Sequence, residues 1–233
     1  MAKKMAKVDY TDVPETLENH PFYGLELDDE QKAFRDAIWS PDKLIVFCNA
    51  KAGTGKTTIA TATADLLVQY GRYGGIVYIS SPCQEEKQGY LKGTLEEKSQ
   101  YYAEPFYDAL FRIGVNMNVA MCDDIMNEKN GTAYVKAITH TFLRGTNFEN
   151  KVIIIDESQN YYFDELKKVL TRMHDNCKVI VIGHSKQCDL YHNPERSGFV
   201  KYLNHFAKYD FCEVCNLTKN YRGLISTIAD ELE

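Results

Sequence analysis

Residues Leu44 to Tyr70 read LIVFCNAKAGTGKTTIATATADLLVQY, and the fold is decided within this stretch. It opens on an apolar run, Leu44–Phe47, that is continuous rather than alternating, the pattern of a strand covered on both faces. It closes on a helical pattern over Thr57–Tyr70. Between them, Asn49–Thr58 matches G-x-x-x-x-G-K-[ST] except that Ala50 stands in the first glycine position, an outer edge where a small residue suffices. Such a loop curls backbone N–H groups around phosphate oxygens at a helix N-terminus, where the helix dipole also favours anions. Gly53 and Gly55 let the loop bend and the backbone approach closely. Lys56 is placed to reach β- and γ-phosphates, and the Thr57 hydroxyl to ligate Mg²⁺. The candidate nucleotide-binding set is therefore Ala52, Gly53, Thr54, Gly55, Lys56, Thr57 and Thr58.

Outward from this loop, three further continuous apolar runs read as buried parallel strands: Ile76–Ile79, Val152–Ile155 and Val179–Ile182. Phe211–Leu217 is a fifth candidate. Helical patterns over Tyr162–Met173 and Leu224–Glu233 follow in alternation. Strands alternating with helices predict a three-layer α/β fold with a mostly parallel sheet and helices on both faces. At 233 residues with no low-complexity tract or Pro/Gly-rich linker, residues 1–233 read as one domain. Residues 1–24 form an N-terminal extension, and 82–150, rich in charge and aromatics, an insertion packed on the same domain.

The third run ends KVIIIDESQN, which puts Asp156 and Glu157 at the carboxyl end of a buried strand, the edge where doubly wound sheets bind ligands. Asp156 can hold Mg²⁺ there, and Glu157 can orient and deprotonate an attacking water. A dedicated second carboxylate suits hydrolysis of ATP over phosphoryl transfer to a small molecule, which must exclude water.

Composition narrows the class. Hydrophobic residues make up 44% and charged residues 26%, which excludes a disordered chain. No run approaches the ~18 apolar residues of a membrane span, and no apolar stretch follows the N-terminal lysines to make a secretory signal. Seven scattered cysteines argue for a reducing compartment, so the expected location is cytoplasmic. A net charge of −6 removes composition as an argument for nucleic acid without excluding a local basic groove.

Beyond the nucleotide motifs come GYLKGTLEEK (Gly89–Lys98), EPFYDAL (Glu104–Leu110), LRG ending at Gly145 and DESQN ten residues later. LTR (Leu170–Arg172) and GHSKQCDL (Gly183–Leu190) follow. With these the chain, from Leu27 to near its end, resembles the PhoH-like family of P-loop ATPases, relatives of the superfamily 1 helicase core. The resemblance implies a single RecA-like core using ATP and Mg²⁺, with an adenine-reading glutamine upstream of the loop. Here LDDEQKAF offers Gln31, whose side chain can pair through both carbonyl and amide; the alternative is a solvent-facing helix glutamine. It implies a γ-phosphate sensor at Gln187, although His184 stands where the family segment carries an aspartate. In LTKNYRGLIST, Arg222 falls where the family carries an arginine suited to γ-phosphate charge, while Leu224 replaces its proline. One core leaves no second half to clamp nucleotide, so the finger is expected from a neighbouring copy in a homo-oligomer, as a hexameric ring. The implied activity is movement on or unwinding of single-stranded nucleic acid, RNA slightly favoured over DNA. The alternative is a nucleotide-dependent oligomeric switch that recruits a protein partner, hydrolysis serving only as a reset.

Other signals are weaker. Cys212 and Cys215 form a C-x-x-C, but on a strand residues three apart face opposite ways, and no second pair completes a zinc site. Tyr101–Tyr102 and Tyr161–Tyr162–Phe163 can stack on bases, though packing is the commoner use of such clusters. Lys87, Lys92 and Lys98, interleaved with glutamates, read as a solvated face.

Overall fold

In the computed structural model, six parallel strands form one sheet in the order β3-β2-β4-β5-β1-β6. The structure describes residues 13–82, 102–122, 125–143, 145–186, 188, 190 and 196–230. The chain runs α1 (Asp29–Trp39), β1 (Ile45–Ala50), α2 (Lys56–Gln69), β2 (Ile76–Ser80), α3 (Glu104–Arg112), α4 (Met117–Ala120), α5 (Ile125–Asn130) and β3 (Val135–Thr139). It continues through β4 (Val152–Ile155), α6 (Phe163–Leu170), β5 (Lys178–Gly183), α7 (Phe199–Phe206), β6 (Cys212–Leu217) and α8 (Leu224–Asp230).

The continuous apolar runs arise because both sheet faces are covered. Successive strand residues alternate between two cores: Val46, Tyr78, Ile154 and Ile180 pack beneath α1, α2 and α3, and Phe47, Ile79, Ile155 and Val181 beneath α6 and α7. Cys212 and Cys215 likewise fall into opposite cores, and burial raises both thiols, Cys212 to about 11 and Cys215 to about 12. Among the described residues no His, Cys, Asp or Glu cluster suits a metal ion, and no helix is long and apolar enough to cross a membrane.

The described residues 102–122 and 125–143 supply two parts of the core. β3 pairs in parallel with β2 along its whole length as the sixth strand, and α3 packs against α2 through Phe106 and Leu110. The other expected strands are found with edges shifted by up to three residues, and Val152–Ile155 with none.

Candidate functional site

The phosphate loop leaves β1 at Ala50 and enters α2 at Lys56. Ala50 is the last strand residue, paired with Leu217 and buried, with no left-handed backbone, so a Cβ costs nothing there. Gly53 and Gly55 do sit in the left-handed region, at φ +75° and +79°. At Gly53 a Cβ would also lie 2.4 Å from Asn220 Oδ1 and 2.9 Å from Arg222 Cγ. The loop is braced from within: Thr54 Oγ1 donates to the Lys51 carbonyl at 3.0 Å, and Gln31 Nε2 donates to the Thr54 carbonyl at 2.9 Å. Gln31 is buried, not solvent-facing, and its Oε1 accepts the Asp28 N–H at 3.1 Å in a capping box.

One strand, β5, separates the loop strand β1 from β4, and β4 delivers Asp156 beside Thr57. Thr57 Oγ1 donates to Asp156 Oδ2 at 2.8 Å, although the two residues are 99 apart in sequence. Tyr78 on the neighbouring β2 donates its hydroxyl to the same oxygen at 3.0 Å, and the Glu157 N–H donates to Oδ1 at 2.8 Å. Three donors thus aim a carboxylate that is 1% exposed. The Tyr78 phenol is pushed well up by burial and then by the Asp156 charge, so it stays a donor across the working pH range.

Glu157 takes the left-handed conformation, φ +48° and ψ +41°, which costs a non-glycine residue roughly 1–2 kcal/mol. The turn lifts its carboxylate off the strand line, to 3.8 Å from Lys56 Nζ. Gln159, which sequence reasoning passed over, grips that carboxylate: its Nε2 donates to Glu157 Oε2 at 2.5 Å, while its Oε1 accepts the His184 N–H at 3.0 Å. Its signal was an amide two positions beyond the Glu157 carboxylate in DESQN. His184 is buried at the end of β5, and its Nδ1 has no hydrogen-bond partner among the described residues. Gln187, Arg144, Tyr101 and the lysines at 87, 92 and 98 lie outside the described residues.

The segment after β6 closes the site. Tyr221 donates its N–H to the Gly53 carbonyl at 2.9 Å and its hydroxyl to Asp28. Thr218 donates to Glu30 through both its N–H, at 2.7 Å, and its hydroxyl. Arg222 is thereby brought to the loop of its own chain, where it lines a cavity of about 510 Å³ with Gly53, Lys56, Thr57 and Glu157. Of the aromatic cluster, Tyr161 is fully buried, whereas Phe163 is 40% exposed and stacks on Tyr202 at 4.9 Å.

The P-loop and the Asp156–Glu157 pair meet at one edge of the sheet, Asp156 bonded to Thr57 and Glu157 lining the cavity beside Lys56. The family described as "PhoH-like protein" matches residues 26–223. The chain belongs to the PhoH-like family. A PhoH-like protein of Mycobacterium leprae is 32% identical over 205 residues, covering 86% of this chain and 56% of that protein. Protein PhoH of Escherichia coli K12 is 34% identical over 149 residues, 64% of this chain and 41% of that protein. This PhoH-like chain thus spans about half the length of these relatives. Among solved structures, the HK97 bacteriophage large terminase superposes with a TM-score of 0.52 at 11% identity, covering 87% of this chain and 41% of that one. That likeness shows the shared P-loop α/β fold.

Proposed function

We propose that this PhoH-like chain hydrolyses ATP with Mg²⁺ and couples the cycle to single-stranded nucleic acid, RNA slightly favoured over DNA. The observation that carries the hydrolytic reading is the paired carboxylates at the end of β4, Asp156 buried against Thr57 and Glu157 turned toward Lys56. The loop amides and Lys56 bind the phosphates. Thr57 and Asp156 fit Mg²⁺, being hard oxygen donors 2.8 Å apart, with Thr57 lining the cavity. Bound with the nucleotide, the ion neutralises charge on the phosphate oxygens.

Glu157 orients a water in line with the terminal phosphorus and takes its proton. Gln159 fixes the direction of that carboxylate. Arg222, always ionised and forked, meets charge on the transferred phosphoryl oxygens from within its own chain. Gln31 faces the cavity with one N–H and one carbonyl lone pair left for a base, and Gln187 serves as the sensor on the family resemblance. The same resemblance supports a homo-oligomer, a hexameric ring, for which sedimentation with ATP and Mg²⁺ is the check: a lone single-chain species removes it.

The deciding experiment is steady-state ATP hydrolysis with and without single-stranded RNA and DNA, with Glu157→Gln as the blank. Loss of a general base lowers turnover by roughly 10²–10⁴-fold. Several-fold stimulation by one nucleic acid, absent in the variant, supports the motor and names its track. Basal turnover indifferent to both keeps the ATPase and overturns the nucleic-acid coupling.

A further inference from the structure

The nucleotide cavity has a second wall that no phosphate motif accounts for. Helix α3 begins Glu104-Pro105 and turns Phe106, Ala109 and Leu110 into the core. A neighbouring stripe, Pro105, Asp108 and Arg112, follows the i, i+3, i+7 spacing of one helix flank, and all three line the nucleotide cavity. Leu25, Leu27 and Ile59 line it as well, so beside the phosphate-loop residues the same cavity offers apolar side chains, two further carboxylates, Glu26 and Asp108, and the Arg112 guanidinium.

Asp108 and Arg112 are one turn apart, the spacing at which opposite charges commonly pair. Yet neither makes a side-chain hydrogen bond or ion pair with any described residue. Both are exposed, so neither holds the fold together. An ionised carboxylate only accepts hydrogen bonds, and phosphates offer it no donor and a like charge. The donors a nucleotide presents to it are ribose hydroxyls and exocyclic amines. A guanidinium only donates, which suits the ring nitrogens of a purine.

We propose that Asp108 and Arg112 form the nucleoside-reading edge of this site, Asp108 accepting from the ribose hydroxyls and Arg112 donating to the base. The inference rests on the ATP-binding reading above and adds recognition of the ribose, which that reading leaves without a partner, and a contact to the base besides Gln31. It also gives the 82–150 segment a task in the site, since α3 is its contribution to the cavity wall.

The test compares ATP with 2′,3′-dideoxy-ATP in the full chain and in Asp108→Ala, Asp108→Asn and Arg112→Ala. Hydrolysis is read as separate KM and kcat values, and binding as the nucleotide-induced shift in thermal unfolding. A lost hydrogen bond to a charged acceptor weakens binding about tenfold or more. Asp108→Ala should raise the KM for ATP by about that factor, leave the KM for the dideoxy nucleotide in place and keep kcat within about twofold. Asp108→Asn, which still presents a carbonyl acceptor, should recover part of the loss. Arg112→Ala should weaken both nucleotides equally.

An unchanged ATP-to-dideoxy ratio in Asp108→Ala overturns the ribose assignment, and unchanged affinity for both in Arg112→Ala overturns the base assignment. Neither result touches the hydrolytic reading, which fails only when the unaltered chain shows no Glu157-dependent turnover.

Discussion

Tyr78→Phe isolates a single hydrogen bond behind the metal-side carboxylate. The Tyr78 ring is 1% exposed and lies parallel to Phe106, with centroids 4.6 Å apart and 5° between planes. Phenylalanine preserves that stack and removes only the hydroxyl that donates to Asp156 Oδ2 at 3.0 Å. Asp156 then keeps two of its three donors, Thr57 and the Glu157 N–H. A bond to a charged acceptor contributes about 1.5–3 kcal/mol, and the surviving donor on the same oxygen places the stability loss near the lower end. For a chain of this size that is a fall of about 2–6 °C in Tm. The larger effect falls on metal use, because removing a hydrogen bond that orients a metal ligand typically costs 10–100-fold in affinity.

Calorimetric titration of ATP with and without Mg²⁺ reads this directly. The Mg²⁺-dependent gain in nucleotide affinity should shrink by about 10–100-fold, while Mg²⁺-free nucleotide affinity stays unchanged. A lowered Tm with an intact Mg²⁺ gain would refute the reasoning, showing the hydroxyl to be a core contact with no hold on the metal ligand.

Two further outcomes are expected. Gln159→Leu keeps the side-chain volume and removes the amide donor to Glu157; kcat should fall about 10–100-fold with KM for ATP unchanged, and the same change in a Glu157→Gln background should cost nothing more. Equal losses in both backgrounds would assign Gln159 a purely structural role. Lys178 is fully buried, donates to the Ser40 carbonyl at 2.6 Å and to the Lys43 carbonyl, and has its ammonium pushed down to about 7 by burial and then by the Arg72 charge. The unfolded chain, with an ordinary lysine near 10.4, binds more protons above that value, so stability rises with pH from about 7, by roughly 2 kcal/mol to pH 9. Chemical denaturation at both pH values should show this rise in the native chain and its loss in Lys178→Met; identical slopes would mean that Lys178 stays charged in the fold.

The strands legible as continuous apolar runs are those whose two faces are both buried. Val152–Ile155 lies between β2 and β5, is covered on both sides and has no polar residue to blur its edges. β1 extends past its apolar run through Cys48, Asn49 and Ala50, because at the carboxyl edge Asn49 can turn its side chain outward and accept the Ser185 N–H at 2.9 Å. β3 was illegible for the converse reason. VKAIT sits at the sheet edge with β2 as its only strand neighbour among the described residues and Lys136 exposed, so its burial never produces a continuous run.

The site divides along a similar line. Lys56, Thr57, Asp156 and Glu157 are readable because a phosphate loop and a strand-end carboxylate pair are local geometries, written in consecutive residues. Tyr78, Asp108 and Arg112 owe their places to sheet order and helix packing, which no local spacing encodes: Tyr78 reaches Asp156 because β2 and β4 are neighbours. Gln31 serves the fold and the cavity with the same amide. Its residue type suggests adenine pairing through both ends of the amide, yet Asp28 stands three residues before it, and D-x-x-Q is equally a helix-start pattern. The structure shows that second task being done: one end of the amide caps α1, and the other braces the phosphate loop. A residue whose donors and acceptors are half committed to folding can still meet a ligand, but only with what remains. Its mutation would therefore disturb the phosphate loop before it reported on the base.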